Sequence, residues 1–131
     1  MRDGNSTIPD GPADVSQADQ GAGIVGEPGA VQPWNLRLHH HSLTWVEAYA
    51  DGVLVGFVNV TWDGGVHAFL LDTCVDPGRR GEGIGAALVR RATDAAREAG
   101  CTWLHVDFEP HLERFYARCG FSPTAAGLLR L

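Results

Sequence analysis

Eleven residues, Val75-Asp76-Pro77-Gly78-Arg79-Arg80-Gly81-Glu82-Gly83-Ile84-Gly85, constrain this chain more than any other stretch. An apolar run ends in a proline, an Arg- and Gly-rich loop follows, and an Ala-rich helical pattern begins at once. Glycines let the backbone come close to a ligand because no Cβ intervenes. The first N–H groups of a helix lack internal partners, and the positive end of the macrodipole lies there. A strand, a loop of this kind and a helix N-terminus together make an anion site, to which Arg80 adds charge. No Gly-Lys-Ser/Thr follows, so the stretch is not a P-loop. Gly21-Ala22-Gly23-Ile24-Val25-Gly26 does match a dinucleotide-binding Gly-x-Gly-x-x-Gly. No strand precedes it and Glu27-Pro28-Gly29 replaces the helix, so that reading fails its context.

The elements around the loop follow from periodicity. Residues 1–33 hold six glycines, four prolines and five acids against Arg2 alone, and read as a disordered tail. Leu36 and Leu38 alternate with polar residues, suggesting a short strand within 34–41. Leu43–Ala50 and Val53–Trp62 read as a hairpin joined by Asp51-Gly52, a type I′ signal. After Asp63-Gly64-Gly65, Val66–Val75 reads as a mostly buried strand. Gly83–Ala99 is a helix with Ile84, Ala87, Leu88, Ala92, Ala95 and Ala99 on one face. Cys101–Phe108 is a strand parallel to 66–75, since a helical crossover joins them. Pro110 opens a helix to about Arg118, and Phe121 to Leu131 is expected to add a final strand. Trp45, Trp62, Trp103 and Phe69 are assigned to the core. Residues 34–131 therefore form one domain.

Composition narrows the function. A net charge of −6 argues against a general nucleic-acid binder. All ten basic residues are arginines, and Arg79, Arg80, Arg90, Arg91 and Arg97 fall in the loop and its helix. That clustering suits a polyanionic ligand, although Asp94 and Glu98 could equally balance 90, 91 and 97 on a solvated face. Cys74, Cys101 and Cys119 read as reduced thiols of a cytoplasmic protein. The start lacks the apolar region of a signal peptide, and no run is long enough for a membrane span.

The spacing Arg80-x-x-Gly83-x-Gly85 resembles the acetyl-CoA pyrophosphate loop of the GNAT superfamily of N-acetyltransferases. Phe115-Tyr116-Ala117-Arg118-Cys119-Gly120-Phe121 looks like a second family signature, Phe-Tyr-x-x-x-Gly-Phe. The resemblance runs from about 43 to 131. It implies a mixed α/β (α+β) fold: a mostly antiparallel sheet with a central parallel strand pair, helices packed on it, and the family's N-terminal helices missing.

The resemblance also implies roles. Cys74 and Val75 would pair through their backbone with the pantetheine arm, and the Val75 N–H would polarise the thioester carbonyl. The N–H groups of Arg80, Gly81, Gly83, Ile84 and Gly85 would hold the pyrophosphate of acetyl-CoA. An acceptor amine would attack the thioester directly, and Tyr116 would protonate the departing thiolate. Asp72, Asp107 or Glu109 could accept the amine's proton, directly or through water. Many relatives carry Asn at the position of Glu109 and Ala at that of Leu112, and wall the acceptor site with a strand and one or two helices before the hairpin, where this sequence has the Gly- and Pro-rich stretch and the 34–41 segment; the pocket could then be open, completed by a partner chain, or absent.

No metal is expected. Adjacent residues of a strand face opposite ways, so His39, His40 and His41 cannot converge on one ion. The expected activity is transfer of acetyl from acetyl-CoA to a primary amine of a small molecule or peptide. The alternatives are an inactive CoA-binding module and a scaffold. An exposed hairpin edge makes a homodimer plausible; neither nucleic acid nor membrane is an expected partner.

Overall fold

The computed structural model describes Arg2–Asp3, Ser6–Thr7 and residues 34–131. The Gly21–Gly26 motif and most of the expected tail lie outside the described residues. The elements are β1 (Arg2–Asp3), β2 (Ser6–Thr7), α1 (Trp34–His41), β3 (Ser42–Ala50), β4 (Val53–Trp62), β5 (His67–Val75), α2 (Ile84–Glu98), β6 (Trp103–Val106) and α3 (Glu113–Arg118). They build one six-stranded sheet in the order β1-β2-β3-β4-β5-β6.

The hairpin forms as its turn dictates. Asp51 and Gly52 both take positive φ, 53° and 78°, matching the right-handed twist of β3 and β4. β4 and β5 are antiparallel, whereas β5 and β6 run parallel, with His67 opposite Trp103 and Leu70 opposite Val106. Helix α2 makes the crossover. It buries Ile84, Ala87, Leu88, Val89, Ala92 and Ala96 against Val46, Ala48, Val58, Val60, Ala68 and Leu70 of the sheet. Full burial of one such leucine stabilises by about 1.5–3 kcal/mol. The other sheet face holds a smaller cluster of Leu38, Trp45, Leu54 and Phe57.

Several expectations are corrected. Residues 34–41 form a helix, not a strand, with Leu38 fully buried and Leu36 exposed. Two leucines in alternation satisfy a strand and a helix alike, and packing of Leu38 on Trp45 and Phe57 decides for the helix. The final strand is absent, because residues 121–131 adopt no regular structure. The parallel pair therefore lies at the sheet's edge. Trp103 is 61% and Phe69 38% exposed, since no described element covers their face at the β5–β6 end. The hairpin edge expected to receive a second copy is partly taken, for Ser6–Thr7 pair with Tyr49 and Ala50. Among the described residues, no helix is long and apolar enough to cross a membrane.

Candidate active site

Pairing of β5 with β6 stops at Leu70 and Val106, but β5 runs on to Val75. Beyond that point, among the described residues, the edge of β5 facing β6 has no strand partner, and a cleft of about 980 Å³ opens there. Thr73, Cys74 and Val75 form one wall, and Leu112, Phe115, Tyr116 and Cys119 form the other.

A bulge marks the parting. Phe57 faces Cys74 and Asn59 faces Leu71, so two residues of β5, Asp72 and Thr73, stand opposite Val58 alone. Asp72 takes φ 59°, a left-handed conformation costing a non-glycine residue about 1–2 kcal/mol. Its carboxylate accepts from Arg37 Nη2 at 3.0 Å and from Asn59 Nδ2 at 3.4 Å. Asn59 in turn accepts from the Ser42 hydroxyl. Residues of α1, β3, β4 and β5 thus converge on one polar wall beside the cleft.

The floor of the cleft is the loop. The Asp76 carboxylate accepts from the Gly78 N–H at 3.0 Å and caps a single 3₁₀ turn, Pro77–Arg79. Gly81 and Gly83 then take φ 88° and 80°, open to glycine at no steric cost. Gly83 caps α2 with no side-chain bond, and the first helical hydrogen bond is Ala87 N–H to the Gly83 carbonyl. The N–H groups of Ile84, Gly85 and Ala86 consequently have no helical acceptor. A Cβ at Gly85 would stand 3.3 Å from the Phe115 ring, so glycine there lets α3 close on the helix start. Glu82 turns to Arg79, at 3.4 Å.

Among the described residues, five arginines (Arg79, Arg80, Arg90, Arg97 and Arg118) line the cleft against one acid, Asp94, which pairs with Arg97 at 3.0 Å. The described lining is thus rich in positive side chains in a chain of net charge −6. The sequence alone assigns Arg118, inside the Phe-Tyr signature, and His111 no place at the site; their place there depends on how α3 docks. Arg91 does not line the cleft.

Tyr116 is buried between Phe108, stacked at 5.0 Å, and the edges of Phe115 and Phe121. Burial pushes its phenol above the usual tyrosine range, and a hydrogen bond with the Thr73 side chain opposes the shift. Burial, with the charge of Asp72, pushes Cys74 up to about 11, and burial likewise raises Cys119. All three stay protonated at neutral pH. The folded state therefore holds the Cys74 proton more tightly than the unfolded chain, whose value is near 9. The associated stability is complete below pH 9 and lost as pH rises through about 11. Denaturant titration should find wild type losing more stability across this window than Cys74→Ser; equal losses would refute the shift.

The cleft brings together Cys74, Val75, Arg80, Gly81, Gly83, Ile84, Gly85 and Tyr116. Asp72 stands next to Thr73, just outside it. Glu109 is apart, 81% exposed at its side chain and 3.7 Å from His111, and Asp107 is exposed. His39, His40 and His41 end α1, where His39 meets Trp45 edge-on.

The profile of the acetyltransferase (GNAT) family matches residues 16–121, and the chain belongs to that family. It is 37% identical over 111 residues to mycothiol acetyltransferase of Nocardia farcinica, covering 85% of this chain and 32% of that protein. It is 43% identical over 58 residues to a probable glucosamine 6-phosphate N-acetyltransferase of Oryza sativa subsp. japonica, covering 44% of this chain and 35% of that one. The chain thus spans about a third of the length of these relatives. Its fold matches glucosamine-6-phosphate N-acetyltransferase from Arabidopsis thaliana with a TM-score of 0.77 at 18% identity, covering 96% and 97% of the two chains. An aminoglycoside N-acetyltransferase solved in complex with CoA superposes with a TM-score of 0.60 at 22% identity, covering 70% and 67%.

Proposed function

We propose that this protein transfers acetyl from acetyl-CoA to a primary amine of a small molecule or peptide. The observation that carries the reading is the cleft. Orphan N–H groups of a helix start, a left-handed glycine loop and an excess of arginine stand beside an unpaired strand edge. These residues fit a phosphate-bearing cofactor with an amide-rich arm. Arg80, Gly81, Gly83, Ile84 and Gly85 would hold the pyrophosphate. Cys74 and Val75 would pair with the arm through their backbone. When bound, acetyl-CoA supplies an activated acyl group.

The residues of this chain would bind, orient and move protons. An N–H of the strand edge directed at the carbonyl oxygen contributes most where negative charge develops, about 2–4 kcal/mol per donor. The Tyr116 phenol, protonated at neutral pH, can give its proton to the departing sulfur. Cys74 and Cys119 are held as neutral thiols and so are poor nucleophiles. That favours direct attack by the amine over an acyl-cysteine relay. Free thiols at all three cysteines suit a reducing compartment such as the cytoplasm.

Of the three candidate bases, Asp72 is adjacent to the cleft wall and we assign it the amine's proton, directly or through water. Asp72→Asn should lower kcat/KM for the amine by about a hundredfold and leave acetyl-CoA affinity unchanged. An unaltered rate would pass the role to water or to another group.

The direct test combines calorimetric titration with acetyl-CoA and thiol release in a panel of primary amines. Binding with amine-dependent release supports an enzyme. Binding with no release from any amine supports a CoA-binding module, and no binding by the folded protein overturns both.

A further inference from the structure

The Asp72 carboxylate is engaged on one oxygen only. Arg37 Nη2 donates to Oδ2 at 3.0 Å, and Asn59 Nδ2 donates to the same oxygen at 3.4 Å. Among the described residues Oδ1 accepts no hydrogen bond. Asn59 is 1% exposed and is itself held by the Ser42 hydroxyl, so the carboxylate is fixed from within the sheet. The Arg37 and Asp72 side chains are 35% and 30% exposed, within reach of a ligand. The next residue, Thr73, lines the cleft and hydrogen-bonds the Tyr116 phenol.

Helix α1 fixes where the guanidinium stands. Leu38, beside Arg37, is fully buried and packs with Trp45 and Phe57. A molecule that approaches Asp72 Oδ1 therefore meets a positioned cation on the other oxygen of the same carboxylate. The charges of Arg37 and Asp72 already cancel. An acceptor that brings only an ammonium leaves an excess positive charge beside the guanidinium, which is unfavourable between like charges at short range. An acceptor that also brings an anionic group removes that excess. A guanidinium presents its N–H groups as a planar fork that matches carboxylate and phosphate oxygens.

We propose that the acceptor is zwitterionic: a primary amine that meets Asp72 Oδ1 as its ammonium, joined by a short spacer to a carboxylate or phosphate that meets Arg37. The proposal rests on the acetyl-transfer reading, with Asp72 as the residue that receives the amine. It makes Arg37 a specificity-determining residue and gives α1 a part in choosing the substrate.

The test measures kcat/KM by thiol release for two matched pairs of primary amines, phosphoethanolamine against ethanolamine and β-alanine against propylamine. Wild type should favour the anionic member of at least one pair by about tenfold to a hundredfold, the range for a hydrogen bond between charged groups. The pair that shows the preference distinguishes phosphate from carboxylate. Arg37→Gln should bring that ratio close to one. Because ratios are compared, any general loss of rate from disturbing Asp72 cancels. Arg37→Lys keeps a cation in place and should retain part of the preference, which separates loss of charge from loss of fold. The proposal is overturned by a wild type with no preference for either anionic amine. A preference that survives in Arg37→Gln, or that vanishes equally in Arg37→Lys, overturns it too. Release from none of these amines by a protein that binds acetyl-CoA would sink the transfer reading, and this proposal with it; release without preference sinks the proposal alone.

Discussion

Gly83→Glu is expected to abolish measurable acetyl-CoA binding while leaving the protein folded. Two effects act together. Gly83 has φ 80°, and a Cβ there costs about 1–2 kcal/mol. A carboxylate at the start of α2 would also be drawn to the orphan N–H groups, and so would occupy the anion site itself. That local attraction returns about 0.3–1 kcal/mol of stability, which keeps the loss of fold small. For the ligand both changes are adverse, and a Kd increase of a hundredfold, about 2.7 kcal/mol, is the minimum expected. Gly83→Ala separates the parts, since it carries the strain without the charge and should weaken binding far less. Titration calorimetry with matched circular dichroism decides. A Gly83→Glu protein that binds as tightly as wild type would remove the loop from the cofactor site.

Tyr116→Phe should lower kcat by about a hundredfold or more, the range for losing a general acid. Acetyl-CoA affinity should stay unchanged, because the ring keeps its contacts with Phe108, Phe115 and Phe121. The pH profile gives the sign. The phenol must be protonated to donate, and burial raises its value above the ordinary 10. Wild-type activity should therefore fall only above pH 10, and that alkaline limb should vanish in the variant. A variant turning over at the full rate would assign Tyr116 to packing alone.

Legibility in the sequence followed the kind of constraint. The loop could be read because its backbone needs glycine at Gly81 and Gly83, and the Asp51-Gly52 turn for the same reason. Helix α2 showed because fifteen residues give several repeats of the apolar period. Segment 34–41 was misread because eight residues with two leucines do not fix a period. The exposure of Trp103 and Phe69 was hidden too, since a strand's residues do not say whether another layer covers them. At the site, the loop and the Phe-Tyr signature were recognisable as motifs, and Asp72 as a candidate base. The left-handed turn of Asp72 and the Arg37 and Asn59 that hold its carboxylate were not. They meet through register and docking, and the separations of 35 and 13 residues from Asp72 carry no local signal.

The bulge at Asp72 and Thr73 divides β5 into two working halves. Upstream, the strand spends its outer backbone groups on β6; downstream, from Thr73 to Val75, it keeps them in reserve. A ligand that hydrogen-bonds there becomes part of the secondary structure, supplying the rungs that the polypeptide withholds. Occupancy and local rigidity are then one equilibrium: whatever tightens binding at this edge stabilises the end of β5 by the same free energy.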